Sequence, residues 1–196
     1  MFVQVIKGHT GDRAGLRGQL ERWRNDVRPG AVGFQGSTVG ITEDGTFIAL
    51  ARFTDEGAAK ENADRPEQAA WWNETVAYFD DEPSFRESSD ISMLFEGGSN
   101  DAGFVQIMEG SVTDRSRAEA METPELLDRL RRLRPDLLGG YRVWFPDGSY
   151  VEAAYFTSEA EAREGEKSEE FDTEQETYAE FFGEPTFLDL REPLLD

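Results

Sequence analysis

Two glutamines occupy an unusual setting. Gln4 lies in FVQVIKG at residues 2–8 and Gln106 in FVQIMEG at residues 104–110, each an amide in the middle of an otherwise apolar stretch. An interior amide without a hydrogen-bond partner costs about 1–3 kcal/mol. Either the two amides bond neighbouring groups, or each other across a pseudo-twofold axis, or they present donors and acceptors to a ligand. Aromatic surface comes from AAWWNETVAYF at 69–79. There Ala69, Trp72, Val76 and Phe79 fall on one helical stripe, which is read as buried, with Trp71 and Tyr78 on a neighbouring face. Packing is the ordinary role of such residues, and truncating a buried Trp costs about 3–5 kcal/mol on that ground alone.

Arg52 in ALARF and Glu152 in YVEAA are charges inside apolar strands, so burial would demand a partner or water. Edge exposure is the first expectation, and a ligand-facing charge is the alternative. They are not equivalent positions, since Arg52 aligns with Tyr155 and Glu152 with Ala49. His9 is the sole histidine. That excludes a metal centre built from several histidines, and a loop histidine is read as incidental. With no cysteine in the chain, disulfides, thiolate nucleophiles and Cys-bound zinc or iron–sulfur are excluded too. The carboxylates of SEAEAREGEKSEEFDTEQE at 158–176 spread around a helix instead of converging, which reads as a solvated face. No metal site is expected, and the chain has no P-loop, dinucleotide fingerprint or nucleophile elbow.

The elements that must position these residues occur twice. Asp12 and Arg13 match Asp114 and Arg115; RPG at 28–30 answers RPD at 134–136; EDGTFIALARFTDE at 43–56 answers PDGSYVEAAYFTSE at 146–159; DEPSF at 81–85 answers GEPTF at 183–187. Blocks in one order at a nearly constant offset indicate an internal duplication. The units are expected at 1–96 and 103–196, joined by the Gly-rich EGGSNDAG at 96–103.

Each unit reads as strand, helix, strand, strand, helix, strand. Leu16, Leu20, Trp23 and Val27 share one helical face in the first copy, and Leu126, Leu127, Leu130 and Leu133 do so in the second, with Thr123 as N-cap and Pro124 in the first turn. Asp-Gly at 44–45 and 147–148 predicts tight hairpins in which both central residues take positive φ. Thr-Asp-Glu at 54–56 and Thr-Ser-Glu at 157–159 then start long helices that end before Pro83 and Pro185. DISML at 90–94 is the candidate last strand of the first unit and TFLDL at 186–190 that of the second. In the first strand Val3 and Val5 point one way and Phe2, Gln4 and Ile6 the other, so both faces of the sheet are largely apolar. Two such sheets packed face to face would cover one another.

The 196 residues carry 20 Lys plus Arg against 41 Asp plus Glu, a formal charge of -21. Such a surface repels phosphate backbones and anionic lipid, so neither nucleic acid nor membrane is expected as a partner. With 38% hydrophobic residues there is material for a core. The lack of a basic N-terminal region followed by an apolar run, and of any apolar stretch long enough to span a bilayer, leads to the expectation of a soluble cytoplasmic protein.

In element order, in the first-strand block and in the Trp-bearing second helix, the chain resembles the dimeric α/β barrel superfamily, in particular antibiotic biosynthesis monooxygenase-like domains, with two units fused in tandem. The resemblance implies an α+β fold of two ferredoxin-like βαββαβ units forming an intramolecular pseudo-dimer, and it leaves a further homodimer open. It implies the binding of a small apolar or aromatic molecule and its oxygenation without a cofactor, with the protein supplying desolvation and orientation. Trp72 and Tyr78 would take the places that hold a planar substrate, beside Gln4, with Arg52 and Gln106 as further substrate-binding candidates and Tyr78 or Arg52 assisting the chemistry. The second copy has Glu174, Thr173 and Glu180 where the first has Trp72, Trp71 and Tyr78, so a pocket is expected in the first half only. No histidine stands on the second helix for the haem-degrading branch of that superfamily. A non-catalytic ligand-binding or stress-associated protein with a filled interior is the alternative.

Overall fold

The structure is a computed structural model and describes residues 1–167, 182 and 184–196, with the backbone alone for Met121. Two compact units emerge: unit 1 comprises Met1–Ser89 with Pro193–Asp196, and unit 2 comprises Asp90–Glu192. Each holds one antiparallel five-stranded sheet with helices.

In unit 1 the order is β10-β2-β3-β1-β4, from β1 (Phe2–His9), β2 (Phe34–Ile41), β3 (Thr46–Phe53), β4 (Ser84–Ser88) and β10 (Leu194–Leu195). In unit 2 it is β5-β7-β8-β6-β9, from β5 (Ile91–Leu94), β6 (Phe104–Ser111), β7 (Leu137–Trp144), β8 (Ser149–Phe156) and β9 (Thr186–Leu190). Without the outermost β10 and β5, both sheets have the strand order and α+β class of a ferredoxin-like unit. The outer strands cross over in sequence. Residues 91–94 pair with β7 instead of closing the first sheet, and residues 194–195 pair with β2. The last ladder strand of the first copy is Ser84–Ser88, right after Pro83 and in the same place as Thr186–Leu190 after Pro185. DISML is therefore a fifth strand, belonging to the other sheet.

Helix α1 (Arg13–Arg22) starts where Asp12 accepts from the Gly15 N–H at 2.8 Å, and it widens into a π-turn at Trp23–Val27 before Pro29 ends it. Leu16 and Val27 are buried, and Leu20 and Trp23 half-buried, as the spacing predicts. In unit 2 the matching stretch is two helices, α4 (Arg115–Met121) and α5 (Pro124–Leu133), capped by Asp114 and Thr123. The second helical segment of unit 1 is also broken. α2 (Glu56–Ala63), capped by Asp55, is followed by α3 (Pro66–Thr75), because Pro66 forces Arg65 into extended backbone. In unit 2, Ser158 caps α6 (Glu159–Gly165).

The restart at Pro66 resets the helical phase. Trp71 and Thr75 face the core, whereas Ala69 and Val76 are exposed and Trp72 is half-buried, so the buried stripe lies one position from the predicted one. Trp71 is further fixed by its indole N–H donating to the Gln19 carbonyl at 2.8 Å. The hairpins also differ from expectation. Only Gly45 (φ 90°) and Gly148 (φ 81°) are left-handed, while Asp44 and Asp147 are not. The turn closes through Gly45 N–H to Thr42 O at 3.1 Å and Thr42 N–H to Thr46 O at 2.9 Å, a loop ending in a glycine bulge.

One face of the unit 1 sheet carries Phe2, Gln4, Ile6, Phe47, Ala49 and Phe53 and packs against the helices through Leu16, Ala59 and Phe79. The opposite face carries Val3, Val5, Ile48 and Leu50, all buried. Among the described residues no helix is long and apolar enough to cross a membrane.

Candidate functional site

On the helix side of unit 1, strands β1 and β4 place Gln4 opposite Glu87 and Ile6 opposite Phe85. The Gln4 amide Nε2 donates to Glu87 Oε1 at 2.6 Å. Phe85, half exposed at 50%, meets Trp72 edge-on with ring centroids 5.3 Å apart. Trp72 in turn contacts Phe79 and Trp71, at 6.2 Å and 5.8 Å between centroids. Residues i and i+2 on a strand project from the same face about 7 Å apart. The edge of the sheet thus presents an aromatic platform, Phe85 on Trp72, with a carboxylate held by an amide beside it. Tyr78 packs on the same cluster and lies over Gly15 at the start of α1.

Of the five residues singled out from sequence, the fold brings Trp72 and Tyr78 onto one cluster and Gln4 onto the same face of the sheet. Arg52 alternates to the opposite face, paired with Val3, and its Nη2 donates to the main-chain oxygen of Asp196 at 3.0 Å. Gln106 belongs to unit 2. There its Nε2 donates to Asp189 Oδ1 at 3.0 Å, across β6 and β9, in the register that Gln4 and Glu87 use. Each glutamine thus bonds a carboxylate on the adjacent strand of its own sheet, not the other glutamine. The two carboxylates differ in surroundings. Asp189 also receives an Arg163 guanidinium, whereas among the described residues Gln4 is the hydrogen-bond partner of Glu87. Neither Glu87 nor Phe85 was singled out from sequence. The signal was present in the period-2 alternation of SFRES, obscured by the assignment of DISML as the closing strand.

Unit 2 replaces the apolar floor of this face with charge. Val39 opposite Ala49 in unit 1 becomes Arg142 opposite Glu152. Arg142 Nε donates to Glu152 Oε2 at 2.7 Å and Nη1 donates to Glu122 Oε1 at 2.9 Å. Its guanidinium lies 4.4 Å from the Phe182 ring centroid and 5.1 Å from that of Trp144. Glu152 is 8% exposed, so it is a buried ion-pair member and not an edge charge. Burial next to Glu152 pushes the Tyr150 phenol up to about 12, with Arg142 opposing the shift. Thr173, Glu174 and Glu180, matched to the unit 1 aromatics, lie outside the described residues, as does the part of the acidic run from 168 onward.

His9 is tied into a cross-link at the end of β1. Its Nδ1 donates to Asp80 Oδ2 at 2.6 Å and its Nε2 donates to the Asp44 carbonyl at 2.8 Å. Both partners only accept, so satisfying both requires the doubly protonated ring. The hydrogen bond to Asp80, then that to Asp44, holds the imidazole above its ordinary range. The same bond, with the Gly11 N–H, lowers Asp80. Among the described residues no group of three or more His, Asp or Glu is arranged to hold a metal ion.

No protein-family model matches the sequence, and no curated protein matches it. Solved structures do. A "putative monooxygenase" from Lactobacillus acidophilus NCFM is similar over 100% of this chain and 98% of its own, with TM-score 0.72 and 12% identity. Another protein so described, from Fusobacterium nucleatum, is similar over 100% of this chain and 93% of its own, with TM-score 0.78 and 10% identity. An anthrone oxidase-like protein covers 96% of this chain and 90% of its own, with TM-score 0.61 and 13% identity. At such identities the likeness is one of fold. This chain has a duplicated, ferredoxin-like α+β fold similar to that of these proteins.

Proposed function

We propose that unit 1 binds a planar aromatic molecule on the helix side of β1 and β4 and oxygenates it without a cofactor. The observation that carries this reading is a carboxylate, Glu87, oriented by Gln4 at 2.6 Å next to the half-exposed Phe85 and Trp72. Cofactor-free oxygenation begins by removing a proton from an activated carbon, so that the electron-rich anion can itself reduce oxygen. The suitable substrate class is an aryl ketone with an acidic methylene, of which anthrone is the simplest probe. Glu87 accepts the methylene proton and the electron pair stays on the substrate as an enolate. Overall the methylene loses two hydrogens and gains one atom of O2 as a carbonyl, and the second oxygen atom leaves as water. Trp72 and Phe85 hold the ring plane, Tyr78 backs the cluster from the α1 side, and Gln4 fixes the carboxylate. Arg52 and Gln106 lie outside this proposed site.

Unit 2 has the same amide and carboxylate, but Arg163 neutralises Asp189 and the Arg142–Glu152 pair fills the floor. That contrast supports a single working half. The test is oxygen uptake and quinone absorbance with anthrone. Turnover by the parent chain is expected, with Glu87→Gln losing about 100-fold or more in kcat, Trp72→Ala raising KM, and Asp189→Asn unchanged. Saturable anthrone binding without turnover would favour the non-catalytic ligand-binding alternative. The absence of both binding and turnover would refute the site.

A further inference from the structure

Three arginines of unit 1 converge on one residue. Arg24 Nε lies 2.8 Å from Asp196 Oδ1, the Arg28 guanidinium meets the same oxygen, and Arg52 donates to the Asp196 main-chain oxygen at 3.0 Å. Arg24 Nη2 also donates to Leu195 O at 3.0 Å. The π-turn at Trp23–Val27 brings Arg24 and Arg28, four residues apart, to one side of the helix. The Asp196 side chain is only 5% exposed. Beneath it the backbone pairs reciprocally: Ser37 N–H donates to Asp196 O and Asp196 N–H to Ser37 O, both at 3.0 Å. Leu195 stands opposite Thr38 and Leu194 opposite Val39. Gly36 sits at φ 132°, and a Cβ there would run into the Asp196 oxygen and the Arg52 guanidinium. The strand edge is bared where the docked segment crosses it.

Unit 2 uses the matching edge differently. β7, with Gly139 in the place of Gly36, takes the four-residue β5, and Tyr155 stands where unit 1 has Arg52. A four-residue strand has a longer ladder to hold it. The two-residue β10 has little backbone pairing, so the charge-assisted bonds to Asp196 supply its hold. In a chain with 41 acidic against 20 basic residues, two guanidinium groups on one carboxylate and a third on the adjoining main-chain oxygen form a selective acceptor for acidic peptide.

We propose that Arg24, Arg28 and Arg52, together with the β2 edge from Gly36 to Val39, form a recognition site for a short extended peptide of the pattern apolar-apolar-acidic. Residues 194–196 fill it in this chain, and the same segment from a second copy can take their place. Recognition is by strand addition: main-chain bonds set the register, and the arginines select the carboxylate. When 194–196 release, β2 becomes an open edge that a second Leu-Leu-Asp segment satisfies.

The test uses the full chain with Asp196→Lys, which repels the arginines and vacates the site. A fluorescent peptide of residues 191–196, amidated so that its final charge is the aspartate side chain, is titrated against it. Binding at least about tenfold tighter than to the parent chain is expected, because the parent's own segment competes. Adding Arg24→Ala and Arg28→Ala should abolish it, and replacing the peptide's aspartate by asparagine should weaken it at least about tenfold. No saturable binding, or binding indifferent to the arginines, overturns the proposal. If Asp196→Lys does not fold, hydrogen exchange on the parent chain decides. The Ser37 and Asp196 amides should exchange at least about tenfold faster than the β2–β3 amides and slow when peptide is added; exchange at the global rate without response to peptide overturns it.

Discussion

The pair Arg142–Glu152 offers a sharp test of how charge is held in the core of unit 2. Removing Glu152 by Glu152→Ala leaves the guanidinium of Arg142, 7% exposed, with Glu122 and three aromatic rings. Breaking a buried pair from one side costs about 3–5 kcal/mol, since the remaining charge has lost its counter-ion without regaining water. Glu122 is 22% exposed at the side chain and shares the guanidinium, so the lower end, about 3 kcal/mol, is expected. The duplicate shows what the alternative looks like, for Val39 and Ala49 occupy the same ladder positions in unit 1 with an apolar pair. Replacing both partners by apolar side chains of similar volume, Arg142→Met with Glu152→Leu, should therefore cost less than either single truncation, about 1 kcal/mol or less. Urea unfolding followed by hydrogen exchange of the β6–β8 amides reads the unit concerned. A Glu152→Ala variant within about 0.5 kcal/mol of the parent chain, or a double variant as unstable as the sum of the singles, would refute the reasoning. In that case the pair would be hydrated and its apparent burial irrelevant.

Three further outcomes follow from the same geometry. His9 has its folded pKa raised by Asp80 and the Asp44 carbonyl, so its contribution to stability is full below about 6.5 and is lost as pH rises through the raised folded value; His9→Gln should flatten stability over that window, and an unchanged pH profile would show the ring to be uncoupled. The Tyr150 phenol, pushed up to about 12, should ionise well after an exposed tyrosine in a spectrophotometric titration, and its loss in Tyr150→Phe should remove that late step. With a formal charge of -21, the chain should melt higher as salt shortens the screening length from about 10 Å at 0.1 M to about 3 Å at 1 M; a Tm that falls with added NaCl would mean that ion pairs such as Asp196 with Arg24 and Arg28 outweigh self-repulsion.

Much of the ladder was legible because it rests on local rules. Period-2 alternation in FVQVIKG, a glycine after Asp44, Asp55 and Ser158 as caps and Pro124 in a first turn are each decided within a few residues. What local rules could not reveal was pairing at a distance. Residues 91–94 are as good a strand for one sheet as for the other, and only the ladder to β7 assigns them. Residues 194–195 carry no strand signal strong enough to stand alone, and they become a strand because Ser37 and three arginines receive the segment. The helix phase at Trp71 and Trp72 failed for a related reason, since Pro66 restarts the helix and a stripe counted across 69–79 assumes one uninterrupted period. The candidate site was half legible. Gln4 could be reached from composition and duplication and Trp72 and Tyr78 from the family resemblance, but Phe85 and Glu87 only once Ser84–Ser88 was known to lie beside β1.

Under the proposed function, the duplicated ladder gives a physical reason for one working half. Matched positions keep what the backbone needs and change what a ligand would meet. Gln4 with Glu87 and Gln106 with Asp189 preserve the amide-to-carboxylate bond across two strands, and Phe85 and Phe187 preserve an exposed ring on the edge strand, 50% and 52% exposed. The floor beside them has diverged: Phe47, Ala49 and Val39 in one unit, Tyr150, Glu152 and Arg142 in the other. An apolar floor accepts an aromatic ring with little desolvation cost, whereas inserting the same ring beside Arg142 would have to displace a guanidinium from two carboxylates. Converting the floor is thus a direct experiment on specificity. Val39→Arg with Ala49→Glu in unit 1 should abolish anthrone binding while the unit still folds around a pair that its twin accommodates, and retained binding would place the ligand elsewhere than on the helix side of this sheet.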